Sequence, residues 1–128
     1  MRATPENIQE ISPVHIFVFG SNLEGNHAGG AARLAFNKFG AIWGKGEGLQ
    51  GQSYAIPTMF DSVEKIKFYA DTFCVYAKAS QDKIFLVTEI GCGIAGFMPE
   101  EIAPLFKNTT ELENVYLPKR FWNVLNNQ

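Results

Sequence analysis

Apolar residues dominate two runs that are typical of buried strands. The first run, "VHIFVF", covers residues 14–19, and the second, "KIFLVTEI", covers residues 83–90. Both are rich in β-branched and aromatic residues, and a glycine-containing segment follows each one. Two shorter runs predict further strands: "SYAIP" at 53–57, which Pro57 halts, and "NVYLP" at 114–118.

Helical spacing marks the segments between these runs. Small and apolar residues predict a helix over residues 31–39, with Gly40 at its carboxyl end. A longer helix is predicted from Asp61, which has capping-box spacing to Glu64, to about residue 80. One face of this helix is apolar and consists of Val63, Ile66, Tyr69, Ala70, Phe73 and Ala77.

The order of these elements predicts the fold class. Pro99 is placed to open a short helix to about residue 106, and "KRFWNVL" follows the last strand as a terminal turn. Strands that alternate with helices favour parallel pairing, with helices covering both faces of the sheet. We therefore predict a three-layer α/β/α sandwich with a mostly parallel sheet. A chain of 128 residues, 46% of them apolar, suits one domain over residues 1–128.

Composition and charge narrow the classes of partner. The formal net charge is -2 and no basic stripe is present, so duplex nucleic acid is not expected as a partner. The chain has no export signal and no run of about 18 apolar residues, which favours a cytoplasmic protein without membrane insertion. The two cysteines and two histidines are far apart in the sequence, so we expect no metal site, and no cofactor is predicted.

All 12 glycines fall in three segments, at residues 20–30, 40–51 and 91–96. The first and third segments follow predicted strands and precede predicted helices, which places both at the carboxyl edge of the sheet, where α/β proteins bind ligands. Bare N–H groups in such loops and at a helix start suit a phosphate-rich ligand. The alternative is that tight strand-to-helix turns simply require glycine.

The middle glycine segment, "AIWGKGEGLQGQ", is too rich in glycine to predict a regular element. It contains no Walker A sequence, and the G-x-G-x-x-G spacing at 91–96 follows the wrong strand for a dinucleotide fingerprint. Gln50 and Gln52 flank Gly51 in the middle segment. Their amides could contact a base or sugar, or the segment could be a mobile polar loop.

The segment "GCGIAGF" resembles the phosphate loop of macro domains, [ST]-x-G-I-[YF]-G-[YF]-P. The matching residues are Gly93, Ile94, Gly96 and Phe97. The first glycine segment, residues 20–30, is called the first loop below, and it resembles the same family. In macro domains, a strand ends in a short segment with asparagine, and a glycine run then opens a helix of small residues. Here these parts are "VFGSN", followed by Gly29, Gly30, Ala31 and Ala32.

This resemblance implies a site for ADP-ribose or a derivative. The implied ligand-binding residues are Gly20, Ser21, Asn22, Gly29, Gly30 and Ala31 in the first loop, and Gly91, Cys92, Gly93, Ile94, Ala95, Gly96 and Phe97 in the third segment. Residues 29–31 and 92–95 would hold the diphosphate, Asn22 would face the distal ribose, and Phe97 would border the ribose or adenine. Macro domains hold the adenine amino group with an upstream aspartate, whereas this chain offers Glu6 and Glu10.

Three residues are candidates for catalysis: Asn22, His27 and Glu89. His27 could contact a ligand or relay a proton, or it could be a solvated loop residue. Glu89 could have a raised pKa and act as a base, or it could accept hydrogen bonds from nearby backbone N–H groups. Cys92 is expected to be a small side chain under the loop rather than a nucleophile.

No second polar partner stands at a fixed spacing from any of these three residues, so we expect a ligand-binding domain more than an efficient enzyme. The residues leave open whether it hydrolyses an ADP-ribosyl bond or O-acetyl-ADP-ribose. A different class, a non-catalytic assembly or protein-interaction module with structural glycine turns, would expose an apolar patch around "RFWNVL". The oligomeric state is not indicated by the sequence.

Overall fold

A five-stranded sheet forms the centre of the molecule in the computed structural model, which describes residues 1–127. The strands are β1 (His15–Ser21), β2 (Gly48–Gln50), β3 (Ser53–Pro57), β4 (Ile84–Val87) and β5 (Val115–Tyr116). Their order across the sheet is β2-β3-β1-β4-β5. Strand β1 pairs in parallel with both β3 and β4, and β5 adds to β4 in parallel. Only β2 is antiparallel, at the edge beyond β3.

Helices cover both faces of this sheet. They are α1 (Gly30–Lys38), α2 (Val63–Lys78), α3 (Pro99–Ile102), a 3-10 helix (Ala103–Glu111) and α4 (Lys119–Asn126). Side chains alternate along β1, so Phe17 and Phe19 pack with α1 whereas Ile16 and Val18 face the larger core. Helices α2 and α4 and the 3-10 helix supply that larger core, for example through Phe73. The predicted three-layer α/β/α sandwich with a mostly parallel sheet is confirmed.

The prediction that the middle glycine segment contains no regular element is wrong. Residues 48–50 form β2, in which Leu49 pairs with Tyr54 of β3. The strand forms because the adjacent turn brings these residues alongside β3, and not because of an apolar run of their own. Tertiary pairing has therefore overridden a weak local pattern.

The start of α2 also differs from the prediction. Asp61 does not cap this helix, because Ser62 occupies the N-cap position and makes no side-chain capping hydrogen bond. Asp61 instead lies 2.7 Å from Lys65 Nζ, one helical turn onward. The apolar face is confirmed at its centre, since Ile66, Ala70, Phe73 and Ala77 are buried.

Other elements also differ from the sequence prediction. Strand β4 ends at Val87, three residues earlier than predicted, because the backbone turns through Thr88–Ile90 into the glycine segment. The helix opened by Pro99 continues as a 3-10 helix to Glu111. The predicted terminal turn is the helix α4, and its Phe121 and Trp122 are buried. The exposed apolar patch that an assembly module would show at "RFWNVL" is therefore not formed by these two rings.

Candidate functional site

The first and third glycine segments meet at the carboxyl edge of the sheet, because they follow the parallel neighbours β1 and β4. Their backbones are in close contact: a Cβ added at Gly20 would lie 3.4 Å from the nitrogen of Gly91. Between them lies a cavity of about 400 Å³. It is lined by Gly20, Ser21, Asn22, Asn26, Ala28, Gly29, Gly30, Ala31, Ala32, Thr58, Met59, Thr88, Glu89, Ile90, Gly91, Gly93, Ile94 and Ala95.

Backbone N–H groups from both segments are available around this cavity. Helix α1 has Gly29 at its N-cap, without a side-chain cap, and no acidic residue in its first turn. The first N–H groups of a helix have no partner within the helix. In the third segment, none of the backbone–backbone hydrogen bonds among residues 1–127 uses the N–H groups of Gly93, Ile94 or Ala95. Residues with unpaired N–H groups, from two separate loops, therefore line one cavity.

A short chain reversal positions the third segment. The N–H of Phe97 donates to Gly91 O at 2.9 Å, and the N–H of Gly96 donates to Gly93 O at 3.0 Å. Gly91 has a φ of +76°, and a Cβ there would lie 2.9 Å from the side chain of Ile102. A left-handed backbone this close to a buried side chain accounts for glycine at this position.

Cys92 and Phe97 lie on the core side of this reversal, where both pack against the larger core. Burial, together with the nearby charge of Glu89, raises the pKa of the Cys92 thiol to about 11. Cys92 is therefore a neutral thiol at physiological pH. Phe97 lines neither cavity, so the implied position beside the ribose or adenine does not match its placement, and Gly96 also lies outside the lining.

A second cavity of about 580 Å³ adjoins the first. The two share four lining residues: Gly30, Ala31, Thr88 and Glu89. The remaining walls come from the N-terminal segment at residues 4–9, from Phe17, Leu34 and Val87, and from Pro118, Lys119 and Arg120. Glu6 is part of this wall, whereas Glu10 is not. We refer to these two adjoining cavities together as the cleft, and each has the size of a small-molecule site.

Glu89 stands where the two cavities join and is paired with Arg120. Arg120 Nε lies 2.6 Å from one carboxylate oxygen and Nη2 lies 2.5 Å from the other. The Arg120 guanidinium lowers the pKa of the Glu89 carboxyl, and this effect outweighs partial burial. The expectation of a raised pKa is therefore wrong. Glu89 is ionised at neutral pH and is a weak proton acceptor.

His27 is fully buried and lines neither cavity. Its Nε2 lies 2.9 Å from Ile42 O and 3.1 Å from Lys45 O, and its ring packs edge-on against Phe19. Both sequence-based interpretations, a residue at the ligand and a solvated loop residue, are wrong for this side chain. The reason is that the middle segment folds over the first loop and covers the imidazole.

Asn22 lines the first cavity, and its amide closes the first loop. Its Nδ2 donates to Asn26 O at 3.0 Å, and its Oδ1 accepts from the N–H of Asn26 at 2.8 Å. An amide has two donor hydrogens and two acceptor lone pairs, so each of these atoms can make one more hydrogen bond. Asn22 is thus held in place and can still contact a ligand.

The middle segment braces the first loop from outside. Ser21 Oγ donates to Gly46 O, and the N–H of Gly44 donates to Gly25 O at 2.9 Å. Gln50 is buried and holds the segment together, since its Oε1 accepts from the N–H of Ile42 at 2.7 Å. Gln52 is directed elsewhere, because its Nε2 donates to Ser12 O at 2.9 Å. Neither glutamine lines the cleft.

Two cleft residues that are central to the site have no counterpart in the sequence prediction, namely Thr88 and Arg120. Thr88 carried a usable signal, because it is the first polar residue at the end of an apolar strand. Arg120 carried none, since it is 31 residues from Glu89 and only the fold brings them together.

Fold and site together define an α/β sandwich with a glycine-loop cleft at the carboxyl edge of its strands. Comparison of the chain with known protein families, curated proteins and solved structures gives no significant match. Over residues 1–127, no group of three His, Cys, Asp or Glu side chains is arranged to hold a metal ion. In the same range, none of the helices has the length and apolar character needed to cross a membrane.

Proposed function

We propose that this domain binds ADP-ribose or a related nucleotide diphosphate in the cleft formed by the two cavities. The observation that carries the proposal is that residues with unpaired N–H groups, from two separate loops, line one cavity. The structural-turn alternative requires glycine at strand ends, but it does not require residues with unpaired donors from both loops to line the same space.

The first cavity suits the diphosphate. The amino end of α1 contributes the positive end of a helix dipole, and its first turn has no carboxylate to repel an anion. Gly93, Ile94 and Ala95, whose N–H groups have no backbone partner, line the same cavity. Ile94 has 83% of its surface exposed and its Cδ1 would be 3.8 Å from a Cβ at Gly29, so it partly roofs the space between the loops.

The second cavity suits the nucleoside. Phe17, Ile8 and Leu34 give it apolar wall, and Glu6 supplies a carboxylate. Half of the residues that line this cavity are polar or charged, so the cavity offers a planar organic group both apolar contact and hydrogen bonds. Glu6 could accept a hydrogen bond from an exocyclic amine, the role that the macro-domain resemblance gives to an upstream acidic residue.

Calorimetric titration with ADP-ribose tests this proposal. We expect saturable heat and a rise in the thermal unfolding midpoint, with affinity falling from ADP-ribose to ADP to AMP as contacts are removed. At a ligand concentration about 100 times the dissociation constant, the free energy of unfolding should rise by about 2.7 kcal/mol. No heat and no thermal shift with millimolar ADP-ribose would refute the proposal.

Within this function, we propose binding without efficient hydrolysis. Hydrolysis needs a positioned water and a group that takes its proton. Glu89 is ionised and engaged by Arg120, Cys92 is a neutral thiol, and His27 is outside the cleft. Asn22 is the remaining candidate, through a water held between its amide and a ligand phosphate.

Turnover assays separate a binding domain from a hydrolase. We expect negligible release of ADP-ribose from a mono-ADP-ribosylated protein and negligible deacetylation of O-acetyl-ADP-ribose. Robust turnover that disappears in Asn22→Ala would contradict this expectation and would place the reaction at Asn22. Turnover that disappears only in Glu89→Gln would assign it to the carboxylate instead.

A further inference from the structure

The junction of the two cavities offers hydrogen-bond acceptors on its side chains. Thr88 Oγ1 donates its single hydrogen to Val18 O at 2.8 Å, so toward the cleft it can only accept. Each Glu89 carboxylate oxygen accepts one hydrogen bond from Arg120 and keeps lone pairs for another partner. The Glu89 side chain is 36% exposed and is therefore accessible.

The part of a ligand that reaches this junction follows from the order of the cavities. A diphosphate at the loop N–H groups and a base in the second cavity leave the connecting ribose beside the four shared residues, among them Thr88 and Glu89. A ribose with free 2′- and 3′-hydroxyls has two O–H donors. Acceptors on the protein then face donors on the ligand.

We propose that Glu89 and Thr88 select nucleotides whose base-proximal ribose carries a free 2′-hydroxyl, and that Arg120 is a positioning residue that fixes the Glu89 carboxylate for this contact. The inference rests on the proposed nucleotide binding and adds the sugar that the cleft accepts. A 2′-phosphate has only acceptor oxygens at physiological charge and would meet a carboxylate, so it is disfavoured. A 2′-deoxy sugar loses a donor to a charged acceptor.

A preference for a 2′-phosphate over a free 2′-hydroxyl is the alternative, because two cationic residues, Lys119 and Arg120, line the second cavity. Arg120 has N–H groups that the ion pair does not use, and such groups bind phosphate well. The Glu89 carboxylate offsets this cation in the wild-type chain. Removal of the Glu89 carboxylate should therefore reverse the selectivity between a free 2′-hydroxyl and a 2′-phosphate, rather than only weaken binding.

The test is calorimetric titration of the full chain with ADP-ribose, with its adenosine 2′-deoxy analogue and with its adenosine 2′-phosphate. We expect the 2′-deoxy and 2′-phosphate ligands to bind about tenfold more weakly than ADP-ribose. In Glu89→Gln, ADP-ribose should weaken about tenfold while the 2′-deoxy ligand keeps its affinity. The 2′-phosphate should bind this variant more tightly than it binds wild type.

Asp71→Asn is the matched control, because it also removes a carboxylate that forms an ion pair. Asp71 lies 2.7 Å from Lys67 Nζ on α2, and neither residue lines the cleft. All three affinities should be unchanged in it. Equal binding of ADP-ribose and its 2′-deoxy analogue by wild type would overturn the inference and leave nucleotide binding intact. If wild type binds the 2′-phosphate more tightly than ADP-ribose, the inference is also overturned, and Arg120 is assigned to binding the 2′-phosphate. Failure of ADP-ribose itself to bind would refute both proposals.

Discussion

Gly46→Ala is expected to destabilise the domain by about 3 kcal/mol and to weaken ligand binding, although Gly46 does not line the cleft. A Cβ at this position would lie 2.0 Å from Asn22 O and 2.8 Å from Leu23 O. Both atoms belong to the backbone, so no side-chain rotation can relieve the overlap. The first loop or the middle segment must move, which would also displace Asn22.

Chemical denaturation of wild type and variant measures this effect. Gly93→Ala is the matched control, because the same substitution there meets nothing within 4 Å and the φ of Gly93 is not in the left-handed region. Its free energy of unfolding should stay within about 1 kcal/mol of wild type. Equal stability of the two variants would mean that the middle segment does not brace the first loop.

Gly93→Val is expected to reduce affinity for ADP-ribose by at least about 100-fold while the fold is retained, a loss of about 2.7 kcal/mol of binding free energy. Gly93 lines the first cavity, and a Cβ added there would meet no protein atom within 4 Å. The isopropyl group would therefore occupy the space proposed for the phosphates and would block their approach to the neighbouring N–H groups.

Calorimetric titration, with the circular dichroism spectrum and unfolding midpoint recorded for each protein, checks this second expectation. Gly93→Ala should give an intermediate loss, because its methyl group occupies less of the cavity. Wild-type affinity in Gly93→Val would show that the third segment is only a turn. A lost spectrum would instead contradict the open space around this position.

The sequence was sufficient for those parts of the fold that bury continuous apolar surface. The runs at 14–19 and 83–90 predicted the two central strands, and the apolar face around Phe73 predicted α2. Strand β2 could not be predicted in this way, because its three residues include one glycine and a single apolar side chain, Leu49. Its existence depends on pairing with β3, which is a tertiary interaction.

The candidate site was predictable in its backbone and not in its side chains. Glycine placement after parallel strands indicated where the loops would meet. The state of each polar side chain depended instead on residues distant in sequence: Glu89 on Arg120, and His27 on the carbonyl groups of the middle segment. Local patterns carry no information on such contacts, which explains why the pKa of Glu89 and the burial of His27 were both predicted incorrectly.

Bracing of the first loop by the middle segment would link folding to the affinity for the proposed ligand. If only a fraction of molecules has the loop in place, the apparent dissociation constant equals the intrinsic constant divided by that fraction. Residues such as Gln50, which is buried and does not line the cleft, would then set how much of the population is competent to bind. A loop ordered by folding in this way would not have to be ordered by the proposed ligand when it binds.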